Sequence, residues 1–173
     1  IFGEKMISFK DPDGLQLQFI EPENEDNRNA WTIDGISNDN ALKGFHNVTL
    51  TLQKADPTIK VLTDVLGYSL QKQEDSHYRF ATDTIDTANF IDIIENPSVA
   101  YGRNAAGTNH HIAFRVKDEN TLMEYREKVL SAGLQITPKI DRDYFYSLYF
   151  REPGGVLFEI ATDNPGFMRD EED

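Results

Sequence analysis

The chain contains no cysteine, which excludes disulfides, thiolate metal sites and a cysteine nucleophile. Histidine and carboxylate side chains are left as its metal-binding repertoire. It also lacks any apolar run near the roughly 20 residues that a membrane-crossing helix needs; Val156, Leu157 and Phe158 are typical of its longest stretches. No membrane partner is expected. Basic residues are scarce, 17 Lys and Arg against 30 Asp and Glu, and the formal charge of −13 repels phosphate backbones and anionic lipid surfaces. No nucleic-acid partner is expected either. No signal peptide opens the sequence, so a cytoplasmic location is the default reading. The chain starts Ile1, Phe2, Gly3 without Met, and a truncated two-module protein is the expectation.

What is present is globular: 173 residues, 39% hydrophobic and 27% charged, suit one compact domain with an appendage. An internal repeat organises it. Residues 6–20 (MISFKDPDGLQLQFI) align without gaps to residues 147–161 (SLYFREPGGVLFEIA), pairing Phe9 with Phe150, Lys10 with Arg151, Asp11 with Glu152, Pro12 with Pro153 and Gly14 with Gly155. Each copy reads as strand, Pro/Gly turn, strand. Residues 1–21 are therefore expected to be the C-terminal hairpin of an incomplete first module. Residues 22–43, rich in Glu, Asp and Asn, read as a linker pinned by Trp31 and Ile33, residues 44–163 as a complete module, and residues 164–173 as a solvated acidic tail.

Within residues 44–163 the pattern predicts a strand at 45–52 and a helix at 57–66, with Ile59, Leu62 and Leu66 on one face and Gly67 as the stop. Three strands follow, at 68–74, 77–82 and 88–95. A second cycle begins with a strand at 110–116 and a helix that a Thr121/Glu124 capping box would open, Leu122, Tyr125 and Val129 marking its apolar face and Gly133 its end. Strands near 134–140, 144–150 and 156–162 complete it. The order is βαβββ twice, an α+β fold of paired units whose curved sheets flank a shared cavity with helices outside.

Three of the four histidines fall at predicted strands: His46 on the first, His110 and His111 on the fifth, with Glu159 on the last. Two imidazoles and one carboxylate with open positions make the facial triad of non-haem Fe(II) oxygenases. The separations, 65 and 48 residues, carry no local signature, so only the fold could unite them. Strand alternation places His110 with Ile112, Phe114 and Val116 and leaves His111 on the opposite face, which favours His111 as ligand. Glu159 lies opposite Phe158 and Ile160 by the same reasoning. For His46 alternation is silent, because its face carries Val48, Leu50 and Leu52.

Through GFHNVTL, GTNHHIAFRV, YFYSLYFREPGGVLFEIATD and the ending NPGF, the chain resembles the vicinal oxygen chelate superfamily of glyoxalases, bleomycin-resistance proteins and extradiol dioxygenases. It is most similar to the hydroquinone-linked ring-cleaving dioxygenase group of Gram-positive bacteria. The resemblance implies metal ligation by His46, His111 and Glu159, with Fe(II) as the metal and Mn(II) as the other candidate. It implies a small aromatic substrate and O2 as partners, with a homo-oligomer among the allowed assemblies. Tyr149 matches a tyrosine that contacts substrate oxygen in extradiol enzymes, and His110 would serve as an outer partner or proton shuttle. At the repeat offset Glu159 corresponds to Gln18, a weak hard-metal ligand, so the first module is expected to hold no metal. Two other readings stay open. A glyoxalase-like lyase would add Asp92 as a fourth ligand, and a metal-free aromatic-binding protein would need no such constellation.

Overall fold

The computed structural model of the chain describes residues 2–23 and 26–171. An N-terminal hairpin, β1 (Lys5–Lys10) and β2 (Gln16–Glu21), precedes two units of like construction. The first unit runs β3 (Asn47–Leu52), α1 (Asp56–Lys60), β4 (Ser69–Glu74), β5 (His77–Ala81) and β6 (Phe90–Glu95). The second runs β7 (Ile112–Val116), α2 (Glu119–Ser131), β8 (Ile140–Asp141), β9 (Phe145–Arg151) and β10 (Leu157–Pro165). Each folds into a four-stranded sheet of equivalent order, β3-β6-β5-β4 and β7-β10-β9-β8. In each the opening strand pairs parallel with the closing one, and the others pair antiparallel. The expected α+β fold of two βαβββ units is the fold observed.

One face of each sheet is apolar and turned to the helices. Leu50, Leu52, Phe80, Ile91 and Ile93 join Phe114, Val116, Leu148, Phe150, Phe158 and Ile160 in one buried cluster with Leu62, Val65, Leu122 and Val129. Each such side chain contributes about 1.5–3 kcal/mol by leaving water, so this layer holds the two units together. The opposite faces carry polar groups that are buried all the same, among them Arg79, Asp92 and Glu159. No helix among the described residues is long and apolar enough to cross a membrane.

The helices depart from the pattern at their ends. Beyond α1 the chain continues as a π-helical turn, Val61–Val65, closed by Leu66 N–H donating to Val61 O at 3.0 Å. This widened turn puts Val61, Leu62 and Val65 all into the core. The cap of α2 is Asp118, three residues before the expected Thr121. Its Oδ1 accepts from Thr121 N–H and from the Thr121 hydroxyl, both at 2.8 Å, and these bonds hold the Asp118 carboxyl below its ordinary value.

The hairpin reproduces β9–β10 residue by residue. Ser8 faces Gln18 as Tyr149 faces Glu159, and Phe9 faces Leu17 as Phe150 faces Phe158. Both turns use one device: Asp11 Oδ1 accepts from the N–H groups of Asp13 and Leu15, and the Glu152 carboxylate accepts from those of Gly154 and Val156. Gly14 and Gly155 then take φ of +91° and +92°. The copies differ in cover. Leu148, Phe150, Phe158 and Ile160 are at most 2% exposed, whereas their counterparts Ile7, Phe9, Leu17 and Phe19 are 38–69% exposed.

Glu152 also ties the two units together, accepting from the Thr58 hydroxyl of α1 at 2.5 Å while 2% exposed. A Cβ on Gly154 would stand 2.8 Å from both Glu152 Oε1 and Thr58 Oγ1 and 2.9 Å from Leu52 Cδ2. Gly154→Ala is therefore expected to cost about 1–3 kcal/mol through overpacking, read as a lower urea midpoint; an unchanged midpoint would show that the turn gives way freely.

One expectation about the connecting segments does not hold. Trp31 and Ile33 do not pin the 22–43 segment, being 82% and 57% exposed. It is held instead by Arg28, which binds Asp26 and donates to Phe45 O, and by Lys43 on Asp26 O; residues 24 and 25 lie outside the described residues. Residues 164–171 are almost all solvent-exposed yet ordered. β10 runs on to Pro165, and a 3₁₀ turn, Phe167–Asp170, folds back against residues 143–145; the last two residues are outside the described part.

Candidate functional site

On the helix-free face of the second sheet, the β9–β10 register sets Tyr149 beside Glu159. The Tyr149 hydroxyl donates to Glu159 Oε1 at 2.6 Å, and His111 Nε2 lies 2.7 Å from the other carboxylate oxygen. Glu159 is 3% exposed, so its charge depends on these partners. His110 and His111 sit just before β7 rather than on it, and it is His111 whose ring reaches the carboxylate. His110 Nδ1 stands 2.8 Å from His111 Nδ1. When His111 offers its Nε2 lone pair, its proton is on Nδ1 and is donated to His110.

Arg142, which the sequence reading passed over, adds a cation. Its Nη2 is 3.4 Å from the Tyr149 hydroxyl and its guanidinium carbon 5.5 Å from the Tyr149 ring centre. It stands in the turn between β8 and β9, a charged residue among charged residues (KIDRDY), with no sequence signal to distinguish it.

His46 is not brought to this cluster. It also precedes its strand, packs against Phe90 at 5.4 Å between ring centres, and places Nε2 3.0 Å from Glu4 Oε1. Glu4, 4% exposed at its side chain, enters from just ahead of β1 and meets Arg79 Nη2 at 2.8 Å through its second oxygen. Arg79 in turn grips Asp92 through Nε and Nη2, both at 2.8 Å, and Asn47 donates to Asp92 Oδ2 at 2.6 Å. Burial would raise the Glu4 carboxyl, but Arg79 and His46 outweigh it and hold Glu4 below its ordinary value. The expected set of His46, His111 and Glu159 is thus divided between two places, and Asp92, the candidate fourth ligand, is engaged by Arg79. Among the described residues no group of three or more His, Cys, Asp or Glu is arranged to hold a metal ion. Alternation along β3 could not reveal this, because His46 owes its surroundings to a hairpin 42 residues away.

The sequence model of the Glyoxalase/Bleomycin resistance protein/Dioxygenase superfamily matches residues 44–160, both βαβββ units. The chain belongs to this superfamily. Among curated superfamily relatives, "Putative ring-cleaving dioxygenase MhqO" of Bacillus subtilis is 40% identical over 170 residues, covering 98% of this chain and 54% of that protein. "Chlorohydroquinone/hydroquinone 1,2-dioxygenase" of Sphingobium indicum is 30% identical over 174 residues, covering 98% and 54%. A crystal structure of a dioxygenase named as putative, from Bacillus subtilis, superposes with a TM-score of 0.89 at 40% identity, over 99% of this chain and 54% of that one. The chain spans about half the length of the curated relatives it matches.

Proposed function

We propose that this protein is a metal-dependent ring-cleaving dioxygenase acting on a hydroquinone- or catechol-like ring, with His111 and Glu159 as ligands of Fe(II), Mn(II) being the other candidate. The observation that carries this reading is the convergence of His111 Nε2 and Glu159 Oε2, 2.7 Å apart, on a buried carboxylate. The donor set fits: an imidazole nitrogen beside a buried carboxylate is the ligand chemistry that Fe(II) or Mn(II) takes. Similarity to a hydroquinone dioxygenase supports the substrate class.

Iron bound there would supply Lewis acidity toward a ring hydroxyl and a place for O2. The protein's own groups do the rest. Tyr149 holds the Glu159 carboxylate in one orientation, and its hydroxyl oxygen can accept from a ring hydroxyl. Arg142, which no carboxylate among the described residues pairs, favours the anionic form of the ring in a chain whose charge of −13 would otherwise repel a phenolate. His110 accepts the His111 Nδ1–H and so holds the imidazole in the tautomer that presents Nε2.

A facial triad needs a third protein donor. His46 is the candidate from the expected set; its Nε2 is held by Glu4 in this structure, a contact it would have to exchange for the metal, and a donor from a further unit is the other source. The uncovered face of β1–β2 supports a further βα unit, since in the second copy the equivalent face is closed by α2 and the equivalent edge by β7. The test is anaerobic Fe(II) loading of the protein at its relatives' length, followed by O2 uptake with catechol and methylhydroquinone. Uptake that His111→Ala abolishes is the expected result. Tight metal binding with no uptake from any ring would overturn the oxygenase reading.

A further inference from the structure

The chain after β10 makes a set of contacts that the site described above does not explain. Gly166, at φ +96°, turns the backbone so that its N–H donates to Tyr144 O at 2.8 Å. Arg169 Nη1 donates to Asp143 O at 2.8 Å, and the Tyr144 hydroxyl donates to Asp170 Oδ2 at 2.7 Å. Phe167 stacks on Tyr144 with ring centres 5.5 Å apart and planes 20° from parallel, and lies 6.1 Å from Phe145. All of these grip residues 143–145 and none reaches the core; Phe167 is still 72% exposed. Burial is thus a poor account of why the segment folds back.

Those residues form the far side of the turn that carries Arg142. Within the turn Arg142 N–H donates to Phe145 O at 2.9 Å, Tyr144 N–H to Arg142 O at 2.8 Å, and Asp143 N–H to Asp141 Oδ1 at 2.8 Å. Asp143 sits at φ +68°, a left-handed conformation that a non-glycine residue keeps only when its surroundings hold it. Arg142 is at the same time the cation beside the Tyr149 hydroxyl, with no carboxylate partner among the described residues. A long, exposed guanidinium has much rotamer freedom to lose, and the strap beyond β10 fixes the backbone from which it springs.

We propose that the strap of residues 166–170, through Phe167, Arg169 and Asp170, is a positioning element that holds Arg142 over the Tyr149–Glu159 pair and thereby sets the affinity of the site for a phenolate ring. This rests on the aromatic-substrate reading given above. Phe167, Arg169 and Asp170 touch no reacting group and act through Arg142 alone.

A double-mutant cycle on the metal-loaded, full-length protein tests it, with 4-nitrocatechol as the absorbing probe and hydrogen exchange at the 142–145 amides as a second readout. Phe167→Ala is expected to speed exchange of the Arg142 and Tyr144 amides and to weaken 4-nitrocatechol binding roughly 10-fold, within the loss that a small misplacement of a positioned group brings. In an Arg142→Ala background the same substitution should change binding by less than about 2-fold, because two groups in one network are not additive. Tyr144→Phe, which keeps the stack but loses the Asp170 bond, should fall between wild type and Phe167→Ala. Faster exchange with unchanged probe affinity, or equal losses in both backgrounds, would overturn the proposal. If Arg142→Ala itself leaves probe affinity unchanged, the strap's role fails while the aromatic-site reading, carried by His111 and Glu159, stands; a wild type that binds no 4-nitrocatechol would instead sink that reading.

Discussion

Arg79→Ala is expected to lower the unfolding free energy by about 3–5 kcal/mol, the cost of removing one partner from a buried ion pair and stranding the other. Two carboxylates would be stranded here, Glu4 and Asp92, since both meet the guanidinium at 2.8 Å. The rings of Phe2 and Phe90 lie 4.9 and 5.2 Å from its central carbon and would lose a cation that they help to bury. A loss of that size is a large share of the 5–15 kcal/mol typical of a whole domain. Urea unfolding of Arg79→Ala beside Arg79→Met/Glu4→Gln/Asp92→Asn separates charge from packing. The triple variant should lose less than Arg79→Ala, because no uncompensated charge is left inside. A single variant within about 0.5 kcal/mol of wild type, as for an ordinary surface change, would mean that water reaches and solvates the cluster.

The same cluster predicts an acid response of definite sign. The Glu4 carboxyl is held below its ordinary 4.5 in the folded chain. Its contribution to stability is therefore full above about pH 4.5 and drains away as the pH falls through the lower, folded value. Glu4→Gln should flatten the acid side of the stability profile, and an unaltered slope would place the acid sensitivity in other carboxylates.

Glu159→Gln is expected to abolish Fe(II)-dependent O2 uptake and to weaken Mn(II) binding by more than Tyr149→Phe does. Tyr149 contacts only the outer side of the carboxylate, and losing such a partner costs about 10- to 100-fold in metal affinity or activity. In the proposed site, replacing the carboxylate would remove a negative charge beside the divalent ion as well as a donor atom, and an amide oxygen would not make up for it. Mn(II) titration followed by paramagnetic resonance ranks the variants directly. Affinity that survives Glu159→Gln but is lost in Glu4→Gln would move the metal from the second unit to the His46 side of the first.

Much of this architecture was legible in the sequence because it rests on local periodicity. The alternation in NVTLTL, HYRFA and FIDIIE, the helical spacing of Leu122, Tyr125 and Val129, and the repeated Pro/Gly turn each state a preference within a few neighbouring residues. Hence two βαβββ units could be read in order, and β1–β2 recognised as a copy of β9–β10. The pairing of Tyr149 with Glu159 follows from the same source, since a hairpin's register is set by its own turn.

What local pattern does not show is where a distant element competes for a side chain. His46, a ligand by resemblance, has Glu4 on it from just ahead of β1; Asp92, a fourth ligand only in the lyase alternative, has both oxygens engaged by Arg79 and Asn47. Arg142 and the strap were invisible, because charged residues in a turn and an acidic segment near an end have the composition of solvated surface. The sequence by itself determined the elements, their order and the register of the hairpins, which are settled by backbone geometry and apolar spacing over a few residues. Which histidine meets which carboxylate was decided only by the tertiary structure, because a buried charge takes the partner that the packing of the sheets brings within about 3 Å.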